Sequence, residues 1–336
     1  MSLGARLWGL WENPVLGREF RSRFRGGRSF LVTGGYTLVV AAAFLIAYWS
    51  AAYSITTGPS TGPAAARLGQ MLWTVGVVTQ AILLPLSAPA FTCGGISLER
   101  EREMLELLLL TRLSALQIAI GKLSAGSGQA LILMLCSGPV LSLCFLLGGV
   151  SPGEMLQCAA VLAASILTAG ALGLFASALT LKTRTATALS YAVIAYELIG
   201  TMLLASITGY RDDALSPAFA VVLPGSLLVA AVVFILVDWP GVPHVGPWIT
   251  AAVMLLVVSL FATLILQAQM RPGNGPPDWM GWMSAIHPVA CMPFIARTSS
   301  MKGSEHWWAI CTAYHLVGAT VLFVLSVIRI HRLRTS

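Results

Sequence analysis

Long apolar runs alternate along this chain with short polar connectors. A helix needs about 20 apolar residues to cross the hydrocarbon core of a bilayer. Runs of that kind lie near 30–51, 70–91, 124–149, 155–180, 186–208, 217–237, 248–268 and 309–328. The pattern predicts an all-α integral membrane protein, a polytopic bundle of eight transmembrane helices. Six is the alternative, because 217–237 and 248–268 are joined by Asp238–Pro247, which has no Lys or Arg and also fits a re-entrant hairpin. Pro85, Pro89 and Pro139 fall inside predicted spans; kinks there are tolerated where neighbouring helices satisfy the freed carbonyls. The first run begins near Phe30, behind an Arg-rich segment, and is longer than a signal-peptide core, so it is expected to be a retained span.

The cations set the orientation. With the N-terminus in the cytoplasm, only Arg67, Arg211, Arg271, Arg297 and Lys302 of the 20 Lys and Arg residues fall outside. That is the bias of the positive-inside rule, and it puts both termini in the cytoplasm of a cell (cytoplasmic or inner) membrane. Segment 269–308, with Trp279, Trp282, Trp307 and Trp308, then lies outside, folded onto the interface. Composition agrees: 57% of residues are hydrophobic and 10% charged, with mean hydropathy +0.82, against roughly 25% charged in soluble domains. The net charge of +7 maps to the connectors and calls for membrane lipids as partner and no nucleic acid. The six cysteines are scattered through apolar runs and read as small buried hydrophobes, with neither a disulfide framework nor a metal site.

Residues 1–29 form a cytoplasmic, interfacial segment ahead of a transmembrane domain at 30–336. Asn13-Pro14 suits a helix start. Leu16, Phe20 and Phe24 then recur every four residues, with Arg18, Arg21, Arg25 and Arg28 on the other faces. This is an amphipathic helix suited to an anionic leaflet; a plain topogenic signal is compatible with it.

The connector at 92–123 stands apart. Six of the eight residues from Glu99 to Glu106 are charged (Glu99, Arg100, Glu101, Arg102, Glu103 and Glu106), and such a segment belongs in water or against a partner. On a helix, Glu99 would pair with Arg102 and Arg102 with Glu106, beside an apolar patch of Leu105, Leu108 and Leu109. A docking element for a partner's groove and an ordinary solvated loop helix fit this pattern equally well.

Residues 91–122 resemble the loop between the second and third spans of ABC-2 type transporter permeases, the membrane subunits of many ABC exporters. The resemblance lies in Glu99-Arg100-Glu101, Met104-Leu105-Glu106, Leu108-Leu109, Thr111, Leu113-Ser114 and Gly121-Lys122. Asn13 to Phe20, with the Arg-rich stretch behind it, resembles that family's elbow helix. With the turn at 148–153 and Leu181–Ala186, the resemblance covers roughly 11–200. Arg112 departs from it, standing where Pro is common. The resemblance implies a coupling helix at 99–114 (Glu99 to Glu103, Leu105, Glu106, Leu109, Thr111 and Arg112) seated on a separate cytoplasmic ATP-binding subunit. It also implies a homodimer, or a heterodimer with a second permease, that exports a cargo. The chain has no Gly-x-x-x-x-Gly-Lys-[Ser/Thr], so no cofactor is expected in it, ATP and Mg belong to the partner, and it is not itself an enzyme.

Two intramembrane polar residues are candidates for the cargo path, Glu197 and Gln80. A mid-span carboxylate is costly and a functional suspect, against the plainer reading of a carboxyl hydrogen-bonded to a neighbouring helix. Gln80 and His315 read more simply as cross-helix hydrogen bonders, and Glu154 as a cap. The alternative function is a secondary, ion- or proton-coupled transporter using Glu197.

Overall fold

A computed structural model describes residues 14–24, 27–57, 64–105, 108, 110, 113–148, 150–195, 197, 288 and 307–335. All regular structure among them is helical: α1 (Pro14–Phe24), α2 (Gly27–Thr57), α3 (Ala64–Thr92), α4 (Ser97–Glu101), α5 (Ala115–Leu147), α6 (Pro152–Leu179), α7 (Thr183–Ala195) and α8 (Trp307–Thr335). Among the described residues, five stretches, Ser29–Trp49, Ala65–Glu101, Ala115–Leu147, Pro152–Leu179 and Trp308–Leu333, are long and apolar enough to cross a membrane. The protein is thus a helical, multi-pass membrane protein. The runs expected at 217–237 and 248–268, most of 186–208 and nearly all of 269–308 lie outside the described residues.

Helix starts follow the sequence. Ser114 and Gln117 form a capping box at α5, with Ser114 Oγ accepting from Gln117 N (3.2 Å) and Gln117 Oε1 from Ser114 N (2.9 Å). Ser151 and Glu154 repeat it at α6, with Pro152 in the first turn, so Glu154 is the cap expected of it. Gly148 ends α5 at φ 79°, a left-handed conformation that glycine adopts without Cβ strain.

α6 is the innermost span. It packs along α3 and α8, and α3 packs in turn on α2 and α5. The core interleaves Leu72, Val77 and Leu84 of α3 with Leu133 of α5, Val161 and Ile166 of α6 and Phe44 of α2. Phe30, Leu38, Ile46 and Trp49 on α2 and Val317 on α8 face outward, where lipid tails solvate them as well as protein would. Cys93, Cys144, Cys158 and Cys311 are free and buried, while Cys136 is exposed; Cys291 lies outside the described residues.

A second cluster fixes the ends. Ile96, Ala119, Leu174, Ala178 and Ile330 meet in one core, with Leu105, Phe323 and Val327 against it. The end of α3, the start of α5 and the ends of α6 and α8 therefore lie at one end of the bundle. α1 joins them through α5. Arg18, Arg23, Arg100, Arg102, Lys122, Lys182, Arg184, Arg329 and Arg332 all belong to these segments, whereas Arg67 sits at the start of α3, at the other end.

Candidate functional site

The charged connector leaves α3 through a turn at 93–96 and enters α4, which is only five residues long. Glu103 then takes φ 56°, a conformation unfavourable for a residue with a Cβ, and the helix stops. Leu105 and Leu108 are helical again beyond the break. This corrects the expected pairing of Glu99 with Arg102: the backbone turns at Arg102, and Glu99, Arg100 and Glu101 find partners on other elements instead. Glu106, Leu109, Thr111 and Arg112 lie outside the described residues.

Each of the first three charges is tied to a different helix. Glu99 Oε1 accepts from Lys122 Nζ of α5 at 2.7 Å. Lys122 is only 3% exposed and also pairs with Glu19 of α1 at 3.5 Å. Arg100 Nη1 donates to the carbonyl of Thr180, the C-cap of α6, at 2.8 Å. Glu101 Oε1 accepts from the Thr183 N–H, the first of α7, at 2.7 Å. A cation at a helix C-terminus and a carboxylate at an N-terminus each complement the helix dipole, so two neighbouring residues clamp the α6–α7 turn from opposite ends.

α4 itself has no side-chain cap from its own segment. Ser177 of α6 supplies one: its Oγ accepts from both Ile96 N and Ser97 N at 2.9 Å. Ser97 Oγ donates to the Cys93 carbonyl (2.8 Å) and lies 3.0 Å from Thr183 Oγ1, whose hydroxyl can donate to it. Ser97 and Ser177 are buried, so the network satisfies donors that burial would otherwise penalise.

α1 is bound into the same assembly. Val15 lies against Gly121 of α5, and Phe20 against Gly128. A Cβ on Gly121 would stand 2.9 Å from Val15 Cγ1, and one on Gly128 would stand 2.8 Å from Phe20 Cζ; glycine at both positions permits the contact. Part of the apolar face of the amphipathic helix therefore meets protein. Arg18 and Arg21 are exposed, whereas Arg23 Nη2 donates to the Phe91 carbonyl at 2.7 Å and Nε faces Glu19 at 3.7 Å. Burial draws the Arg23 guanidinium below its ordinary pKa and the Glu19 carboxylate opposes it; it stays protonated, as guanidinium groups in proteins do. The side chain of Phe24, and Arg25, lie outside the described residues.

Of the predicted contact residues, Leu105 is packed into the core cluster, so it is no free apolar knob. Glu103, Met104 and Leu110 are exposed, Leu110 at 82%. Leu98, Arg102, Met104 and Leu108 line a pocket of about 620 Å³ together with Arg18, Glu19, Arg23, Phe91, Glu99 and Lys122.

The intramembrane candidates lie apart from this end. Gln80 Nε2 donates to Ser137 Oγ at 2.5 Å, the cross-helix bond expected of it. His315 is buried, with its Nδ1 3.8 Å from Glu197 Oε1, and its carbonyl accepts from Thr168 Oγ1 at 2.7 Å. Sequence reasoning missed Glu19, Ser177, Thr180 and Thr183. One signal was available for Glu19, the sole acid within the Arg-rich elbow segment 14–28; for the hydroxyls there was none. No protein-family model matches the chain, and no curated protein matches it.

Proposed function

We propose that this chain is the permease subunit of an ATP-driven ABC-2 type exporter, with both termini and the 92–123 loop in the cytoplasm. A separate ATP-binding subunit docks on the exposed part of that loop, around Glu103, Met104 and Leu110. One observation carries this reading. Glu99, Arg100 and Glu101 tie the loop to α5, to the end of α6 and to the start of α7, and Glu103, Met104 and Leu110 beside them are exposed. A displacement imposed on that exposed part is passed to three helices at once, as coupling ATP closure to helix movement requires. ATP and Mg reside on the partner, and the permease works as a homodimer or beside a second permease. The family-like motifs at 99–122 and 13–20 support the same reading.

The test is capture of an ATP-binding subunit encoded beside this chain. Glu103→Lys with Leu110→Asp should abolish capture while the permease still elutes as a folded species; retained capture would refute the docking assignment. A second reading, a proton- or ion-coupled transporter, is favoured by the approach of Glu197 to His315. It requires transport by Glu197→Gln to lose its pH dependence, and unchanged transport across pH removes it.

A further inference from the structure

We infer that the pocket between α1 and the connector is a binding site for the phosphate of an anionic phospholipid headgroup. It lies where α3 ends and α5 begins, towards the ends of two candidate spans that run to Glu101 and from Ala115. Its charges divide in two. The inner cations Lys122 and Arg23 are matched by Glu19 and Glu99. Arg18 of α1 and Arg102 of the connector line the same pocket, and no carboxylate among the described residues pairs with either. The lining therefore carries a net charge of two positives, contributed by two different elements. Phe91, Leu98, Met104 and Leu108 supply an apolar wall.

A guanidinium pair with excess charge suits a phosphate, which it can bind through several N–H donors. An apolar wall beside it, at the membrane boundary, suits the glycerol and upper acyl chain of a lipid better than a fully hydrated soluble anion. Basic pockets between helices at a membrane face are recognised headgroup sites. The headgroup would bridge α1 to the connector. This inference does not rest on an ATPase partner; it concerns the purified chain alone.

The experiment is native mass spectrometry of the full chain in detergent, titrated with phosphatidylglycerol, phosphatidylcholine or inorganic phosphate. Phosphatidylglycerol should be retained more strongly than phosphatidylcholine. Arg18→Gln with Arg102→Gln should weaken phosphatidylglycerol binding roughly 10- to 30-fold, from about a kcal/mol per cation. Arg18→Lys with Arg102→Lys should lose less than the double Gln variant, since the charge is kept while the guanidinium forks are lost. Arg184→Gln, exposed at the same end but outside the pocket, should bind as the wild type does. An unaffected double Gln variant, or an equal loss in Arg184→Gln, would overturn the site. Inorganic phosphate binding as tightly as phosphatidylglycerol would overturn its assignment to a lipid.

Discussion

Replacing Lys122 by Met removes one charge from the centre of the basic-end network while keeping the chain length and filling most of the volume. Lys122 is 3% exposed and holds Glu99 at 2.7 Å and Glu19 at 3.5 Å; the two carboxylates are 22% and 24% exposed. Breaking a fully buried ion pair by deleting one partner costs roughly 3–5 kcal/mol. Here the carboxylates keep some hydration, and Glu19 keeps Arg23 at 3.7 Å, which lowers the expectation to about 2 kcal/mol. Reversible unfolding in mixed micelles with increasing SDS measures it. Lys122→Met with Glu99→Gln removes the stranded charge as well, so the double variant should recover part of the loss, with a coupling energy of about 1–2 kcal/mol. A loss below about 0.5 kcal/mol in the single variant, or strict additivity in the pair, would mean that Lys122 and Glu99 are not energetically coupled.

Ser177→Ala leaves the Ile96 and Ser97 N–H groups without their acceptor and should cost about 1–2 kcal/mol, with hydrogen exchange accelerated at 96–101 and unchanged at the α5 capping box. Gly128→Val drives a side chain into Phe20; labels on Arg21 and Ser124 should report α1 moved off α5, and an unaltered distance would contradict the packing described. Gln80→Leu should be mild, roughly 0.6 kcal/mol, as cross-helix hydrogen bonds in membranes usually are, despite its burial and the Ser137 contact.

Much of the architecture was legible in the chain because hydrophobic run length is a strong constraint in a membrane. The helices α2, α3, α5, α6 and α8 fall on predicted runs, and the Ser-x-x-Gln and Ser-x-x-Glu caps follow from local chemistry. Pro14 opens the amphipathic helix where the Asn-Pro pair indicates. The connector was legible as charged, but its pairing was not. Spacing along one helix suggested Glu99 with Arg102, whereas the true partners of Glu99, Arg100 and Glu101 are Lys122, Thr180 and Thr183. Those contacts depend on which helix ends the fold brings together, and no local period encodes that. The left-handed turn at Glu103 was equally invisible, since the residue type gives no hint of it. No local pattern marks Gly121 and Gly128 as the seat of α1, where Val15 and Phe20 lie against them.

On the reading proposed above, the connector relays the closure of an ATP-binding subunit into α1, α5 and the α6–α7 turn. The most direct test of this relay compares capture of that subunit with coupling of its ATP hydrolysis, in the wild type and in Lys122→Met, after both have been purified as folded protein. The wild type should capture the subunit and change its hydrolysis rate. Lys122→Met should still capture it, because Glu103 and Leu110 are untouched, but leave its rate near that of the subunit alone. Coupling in Lys122→Met equal to the wild type, or no capture by the wild type, would contradict it.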